Sequence, residues 1–127
     1  MIDFRTLELN WKPNQFLMAP PGLCENAEPH AASPHFEFMP DELFQLVRSL
    51  AAREPRVTEK AADAGTRQAV YIARSKVFRF PDVIDILVLD AEGGGATLAA
   101  YSRAKVGIRD FGVNRKRIED WAARLGA

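Results

Sequence analysis

The chain has 127 residues, 47% of them hydrophobic and 27% charged, which suits one buried core inside a solvated exterior and excludes a disordered chain. Its 17 lysines and arginines equal its 17 aspartates and glutamates, so no overall field draws it to nucleic acid or to anionic lipid. A single cysteine, Cys24, excludes an intramolecular disulfide.

The opening Met1-Ile2-Asp3-Phe4-Arg5, followed by Glu8, forms no apolar signal core. No stretch approaches the roughly twenty apolar residues of a membrane helix. The expectation is a cytoplasmic protein with no membrane span, built as one domain over residues 1–127. Residues 1–35 read as an extended arm packed on a 36–127 core. Pro13, Pro20, Pro21, Pro29 and Pro34 each remove a backbone donor, which argues against long helix or central strand there. Apolar Phe4, Leu7, Leu9, Trp11 and Phe16 to Met18 tie the arm to the body, with a short strand over Phe4–Leu9.

Phe36–Met39 reads as a short strand and about Asp41–Arg53 as a helix. Leu43, Phe44, Val47, Leu50 and Ala51 recur at helical steps, Pro40 and Asp41 suit its start, and Pro55 its end. Four strands are predicted next, over Arg56–Ala61, Gln68–Phe78, Val83–Leu89 and Ala96–Val106. They are separated by turns at Asp63-Ala64-Gly65, Pro81-Asp82 and Glu92-Gly93-Gly94-Gly95. A last helix starts near Asn114, read as its cap, with Ile118, Trp121, Ala122 and Leu125 on one face. The fold class is α+β: one antiparallel sheet in strand–helix–four-strand–helix order. That order is similar to TATA-binding-protein-like and helix-grip arrangements and implies a cavity between sheet and last helix, lined by Ile118 and Trp121.

The most distinctive segment runs from Tyr101 to Ile118. It contains Ser102-Arg103, Val106-Gly107 and Asp110-Phe111-Gly112-Val113-Asn114-Arg115-Lys116-Arg117. It resembles the carboxy-terminal signature of the domain of unknown function 1499 family, and Phe80-Pro81-Asp82 and Pro13-Asn14 resemble that family's other two elements. The resemblance implies the fold outline and the location of a site, and it carries no activity.

From Ala100 onward seven basic residues face three acids. Alternation on the last strand places Thr97, Tyr101, Arg103 and Lys105 on one face and Leu98, Ala100, Ser102, Ala104 and Val106 on the other. One reading joins Arg103, Arg115 and Arg117 to the amides of the last helix's first turn, with Asp110, Asn114 and Trp121 beside them, as a site for an anion. The other is structural. Asn114 then only caps, Asp110 pairs with Arg103 or Arg115, and Arg74, Lys76, Asp85, Arg103 and Lys105 form a charge ladder across strands. Basic residues in a first helical turn oppose the macrodipole by roughly 0.3–1 kcal/mol and call for compensation, from Asp110 or from a bound anion.

Catalytic readings rest on Asp82, Ser102 and Asp110 as parts of a hydrolase-like site, but no nucleophile elbow surrounds Ser102, and His30 and His35 lie in the arm. Cys24 with His30 makes a weak thiol–imidazole pair. Cys24, Glu25, Glu28, His30 and His35 match no metal-ligand spacing, and the Gly93-Gly94-Gly95 run lacks the residues that follow in a phosphate loop. No metal, no cofactor and no nucleic-acid partner is expected. The functional expectation is a non-catalytic binding module for a small anionic or amphipathic ligand or a protein partner. The alternatives are the hydrolase-like enzyme and an accessory protein acting through its arm.

Overall fold

Runs of apolar and β-branched residues bounded by Gly, Pro and Asp assemble into one six-stranded sheet in this computed structural model, which describes residues 1–126. The strands are β1 (Gln15–Ala19), β2 (Ala31–Ala32), β3 (Val57–Asp63), β4 (Gln68–Arg74), β5 (Pro81–Asp90) and β6 (Ala96–Ala104). The helices are α1 (Pro40–Ala52) and α2 (Val113–Leu125). The spatial order is β2-β1-β6-β5-β4-β3. Every pairing is antiparallel except β1 with β2, which is parallel, so the sheet is mixed where a purely antiparallel one was expected.

Three expectations for the first third of the chain are corrected. Residues 1–35 are not simply an arm, because Gln15–Ala19 forms an interior strand beside β6, with Gln15 opposite Arg103. Pro13 and Pro20 sit just outside that strand, where they cost no ladder hydrogen bond. Phe4–Leu9 forms no strand; residues 4–6 make a turn. Phe36–Met39 shrinks to one bridge, Phe36 to Ala96, confined between Pro34 and Pro40. That bridge depends on Gly95, since a Cβ there would lie 2.5 Å from the Phe36 carbonyl oxygen at a φ of +78°. The order is therefore two strands, helix, four strands, helix. Among the later strands, β4 stops at Arg74 rather than Phe78, β6 at Ala104 rather than Val106, and Pro81 begins β5 instead of breaking ahead of it.

Both helices cover one face of the sheet. Leu43, Phe44, Val47 and Leu50 of α1 and Ile118, Trp121 and Leu125 of α2 pack on Tyr71, Ile84, Ile86, Leu98 and Ala100. The opposite face is covered by the first nine residues and the β1–β2 connection, where Phe4 meets Leu17, Ala99 and Tyr101. The cavity expected between sheet and α2 is filled: the space lined by Ile118 and Trp121 is about 10 Å³, room for one water at most. On the outer edge, β3 carries a register shift between Glu59 and Ala61, and Arg48 of α1 holds Glu59 through two bonds of 2.9 and 3.0 Å.

The β1–β2 connection is pinned by His30. Its Nδ1 accepts the Leu17 amide proton at 2.8 Å and its ring stacks on Phe16 at 5.5 Å. Burial, with the positive Arg115 nearby, pushes its pKa below the ordinary value. The folded state thus binds fewer protons than the unfolded chain, so the stability from this group is complete above about pH 6.5 and falls as pH drops from there towards the lowered folded pKa. The melting temperature should decline between pH 7 and pH 5, and His30→Gln should flatten that decline. An unchanged slope in the variant would remove His30 as its cause.

Candidate functional site

The residues of the three resembling elements, up to a hundred positions apart in sequence, meet at one end of the sheet. Ser102 lies on the helix-facing row of β6 and is fully buried. Its hydroxyl donates to Asn114 Oδ1 at 2.5 Å and accepts from Arg117 at 3.1 Å. The same Arg117 nitrogen donates to Asn114 Oδ1 at 2.9 Å and to Asp82, at the start of β5, at 3.1 Å. Asn114 Nδ2 donates to Asp110 at 2.7 Å and to the Asn14 carbonyl at 3.2 Å. Asn14 in turn donates to the Gly107 carbonyl at 2.8 Å, and its own carbonyl accepts from the Ala104 amide at 2.9 Å. The node therefore ties β1, β5, β6 and α2 together. Among the described residues no buried side-chain polar atom lacks a partner, as a buried polar network requires.

The cap of α2 is a different residue from the one expected. Gly112 is the N-cap, at a φ of +81°, and Asn114 lies inside the first turn with its side chain turned into the node. Asp110 takes the capping role, accepting the amide protons of Gly112 at 2.9 Å and Asn114 at 3.1 Å. A carboxylate at that position also answers the macrodipole conflict raised by Arg115, Lys116 and Arg117. Asp110 makes no ion pair with Arg103 or Arg115.

The three arginines of the anion reading are separated. Arg103 is on the sheet face opposite α2, as strand alternation demands. There it pairs with Asp85 at 2.6 Å and lies 4.8 Å over the Tyr101 ring. Arg115 pairs with Glu119 at 3.1 Å and covers the Phe16 ring. Arg117 remains with Asn114, which in turn bonds Asp110, and Trp121 is buried one turn further along α2, edge-on to Tyr71. Ser102 is fully buried with its hydroxyl bonded to Asn114 and Arg117, Asp82 accepts from Arg117, and Asp110 accepts from the first amides of α2 and from Asn114. Burial raises the Cys24 thiol pKa, which keeps it in the unreactive form. Among the described residues no three His, Cys, Asp or Glu side chains are placed to share a metal.

Beside the node opens a cleft of about 340 Å³ between the start of α2, the end of β4 and the α1–β3 connection. Val57, Ala73, Val113 and Trp121 supply apolar wall, and Arg56, Arg74, Lys116 and Arg117 supply charge. Arg117 is committed to Asp82. The cleft's two acids, Glu54 and Asp120, are both taken by Arg124. Arg56, Arg74 and Lys116 have no carboxylate partner among the described residues. Reading the sequence alone did not assemble this group, because Arg56 reaches Arg74 only through the Val57–Ala73 register of the β3–β4 hairpin. Among the described residues no helix is long and apolar enough to cross a membrane.

No curated protein matches the chain. Residues 10–125 match the family described as Protein of unknown function (DUF1499), a span that takes in Pro13-Asn14, Phe80-Pro81-Asp82 and the whole Ser102–Arg117 segment, and the chain belongs to that family.

Proposed function

We propose that the protein is a binding module that holds a small amphipathic anion in the cleft between α2, β4 and the α1–β3 connection. The observation that carries this reading is the trio Arg56, Arg74 and Lys116 beside an apolar wall, none with a carboxylate partner among the described residues, Arg56 and Arg74 each giving one bond to a backbone carbonyl. Guanidinium forks and an ammonium group suit a carboxylate or phosphate, and Trp121 and Val113 suit a short hydrocarbon portion. Arg117, paired with Asp82, walls the cleft on the node side, while Asp110 and Asn114 hold the first turn of α2 in place. Arg103 and Arg115 lie outside the cleft and serve the framework. The arrangement is helix-grip-like in that the sheet holds α2, with the ligand at the helix's open end instead of beneath it.

Native and denaturing mass measurements on the purified protein, followed by calorimetric titration with octyl phosphate, test the reading. We expect either a retained anionic mass or saturable octyl phosphate binding, weakened about tenfold or more in Arg56→Gln/Lys116→Gln, whose fold should persist. Absence of both a retained mass and saturable binding would overturn it.

A further inference from the structure

Ten large apolar side chains are exposed among the described residues, and all but Met1 and Met39 lie at one end of the sheet. They occupy the loop before β1, the β4–β5 turn, and the β6–α2 loop with the first residue of α2. The pairings Gln15–Arg103, Arg74–Pro81 and Asp82–Ala104 place those three loops side by side, and the Lys105 amide donates to the Pro81 carbonyl at 3.1 Å. Phe78 and Phe80 stack on each other at 5.4 Å in the open, Trp11 is 76% exposed and Phe111 is 92% exposed. Phe111 also holds a φ of +54°, a conformation that disfavours a bulky side chain and that no contact made by its ring compensates.

Around these tips stand Lys12, Lys76, Arg79, Lys105 and Arg109, all exposed. None has a carboxylate partner among the described residues. Within residues 10–14, 75–80 and 105–112, which form these tips, the one acid is Asp110, turned to the backbone and Asn114. The zero net charge of the whole chain therefore conceals one strongly positive end.

We propose that this end docks on the surface of an anionic lipid bilayer, with Trp11, Phe78, Phe80 and Phe111 entering the interfacial region and the basic belt lying against the headgroups. Aromatic side chains at separate loop tips favour the interface of a bilayer, and each lysine or arginine near an anionic leaflet adds attraction. Charge complementarity selects this occupant. A second copy of the chain, docked through the same patch about a twofold axis, would set five cations against five. The docking does not depend on a ligand in the cleft, which shares only Val113 with the patch.

Co-sedimentation with vesicles tests it, comparing phosphatidylcholine alone with phosphatidylcholine containing one third phosphatidylglycerol. The full chain should partition to the anionic vesicles, release as salt is raised, and show a blue shift in tryptophan emission that disappears in Trp11→Phe, since Trp121 is already buried. Phe78→Ser/Phe111→Gly should lower partitioning about tenfold or more while the melting temperature holds or rises, because glycine accepts the backbone at position 111. Any one of three results would overturn the proposal: no partitioning to anionic vesicles, undiminished partitioning of that variant, or a concentration-dependent dimer that the variant abolishes.

Discussion

Asn114→Ala should lower the free energy of unfolding by on the order of 3 kcal/mol and the melting temperature by about 10–15 °C, making it among the most damaging single changes in the molecule. The side chain is fully buried and meets four partners, as acceptor from Ser102 and Arg117 and as donor to Asp110 and the Asn14 carbonyl. Alanine removes all four bonds, leaves the proton of the buried Ser102 hydroxyl without its acceptor and opens a small cavity, and each of those effects costs about 1–3 kcal/mol before relaxation. Asn114→Asp, nearly the same shape, discriminates packing from hydrogen bonding. It loses both donors and sets a second carboxylate 2.7 Å from Asp110, so it too should destabilise, and part of that loss should return as pH falls through the carboxylate range. Urea denaturation of the two variants against the parent supplies the measurement. If Asn114→Ala unfolds at the parent's urea concentration, the node does not hold the four elements together.

Arg103→Gln is expected to cost on the order of 3 kcal/mol, whereas Arg115→Gln should change stability by less than about 0.5 kcal/mol. The contrast follows from burial. The Asp85 side chain is 4% exposed and faces Arg103 at 2.6 Å, its other oxygen being bonded only to the Ile2 amide at 3.3 Å. Removing the guanidinium leaves a buried carboxylate without its counter-charge. Arg115 and Glu119 are both largely solvated on the outside of α2. Replacing the buried pair together, as Arg103→Met/Asp85→Leu, should recover most of what Arg103→Gln loses, since a matched apolar pair avoids the desolvation cost. Thermal melts of the three variants separate these cases. A double variant as unstable as Arg103→Gln would show that the pair's worth lies in the bonds to Ile2 and the Tyr101 carbonyl instead.

Helical periodicity made α1 legible to within about a residue at each end, and it made the buried face of α2 legible although the cap was placed two residues late, at Asn114 instead of Gly112. The four-strand run was legible for the same reason, its apolar stretches being long and its breaks rich in Gly, Pro and Asp. β1 was obscured because proline density is a statement about the arm as a whole, while the five residues between Pro13 and Pro20 that form the strand contain none. Convergence of the motifs was legible only as resemblance. Whether Asp110 would cap α2, pair with an arginine or face a ligand depends on the φ of Gly112 and on which way Asn114 turns, and neither leaves a trace in spacing. The alternation on β6 already placed Ser102 and Arg103 on opposite faces, and that fact alone separates Arg103 from Arg117. Of the aromatic loop tips, Phe78 was read as a strand end, Trp11 as part of the arm, and Phe80 and Phe111 only as members of the resembling motifs. Arg79, at a φ of +61°, closes the turn just after Phe78 and before β5 begins, so Phe78 and Phe80 lie outside the ladder.

Both margins of the sheet are unsuited to lengthening it. On one side β2 offers two residues of backbone, too short a rail to align an incoming strand. On the other, β3 is solvent-facing along nearly its whole length, and the irregularity between Glu59 and Ala61 interrupts the even comb of donors and acceptors that a foreign strand would need. Glu59, Lys60 and Asp63 on that rail add the cost of stripping water from charge. A chain that displays aromatic side chains on three loops is thereby protected from the commonest way that sheet proteins aggregate, and its sticky end is kept apart from its hydrogen-bonding edges.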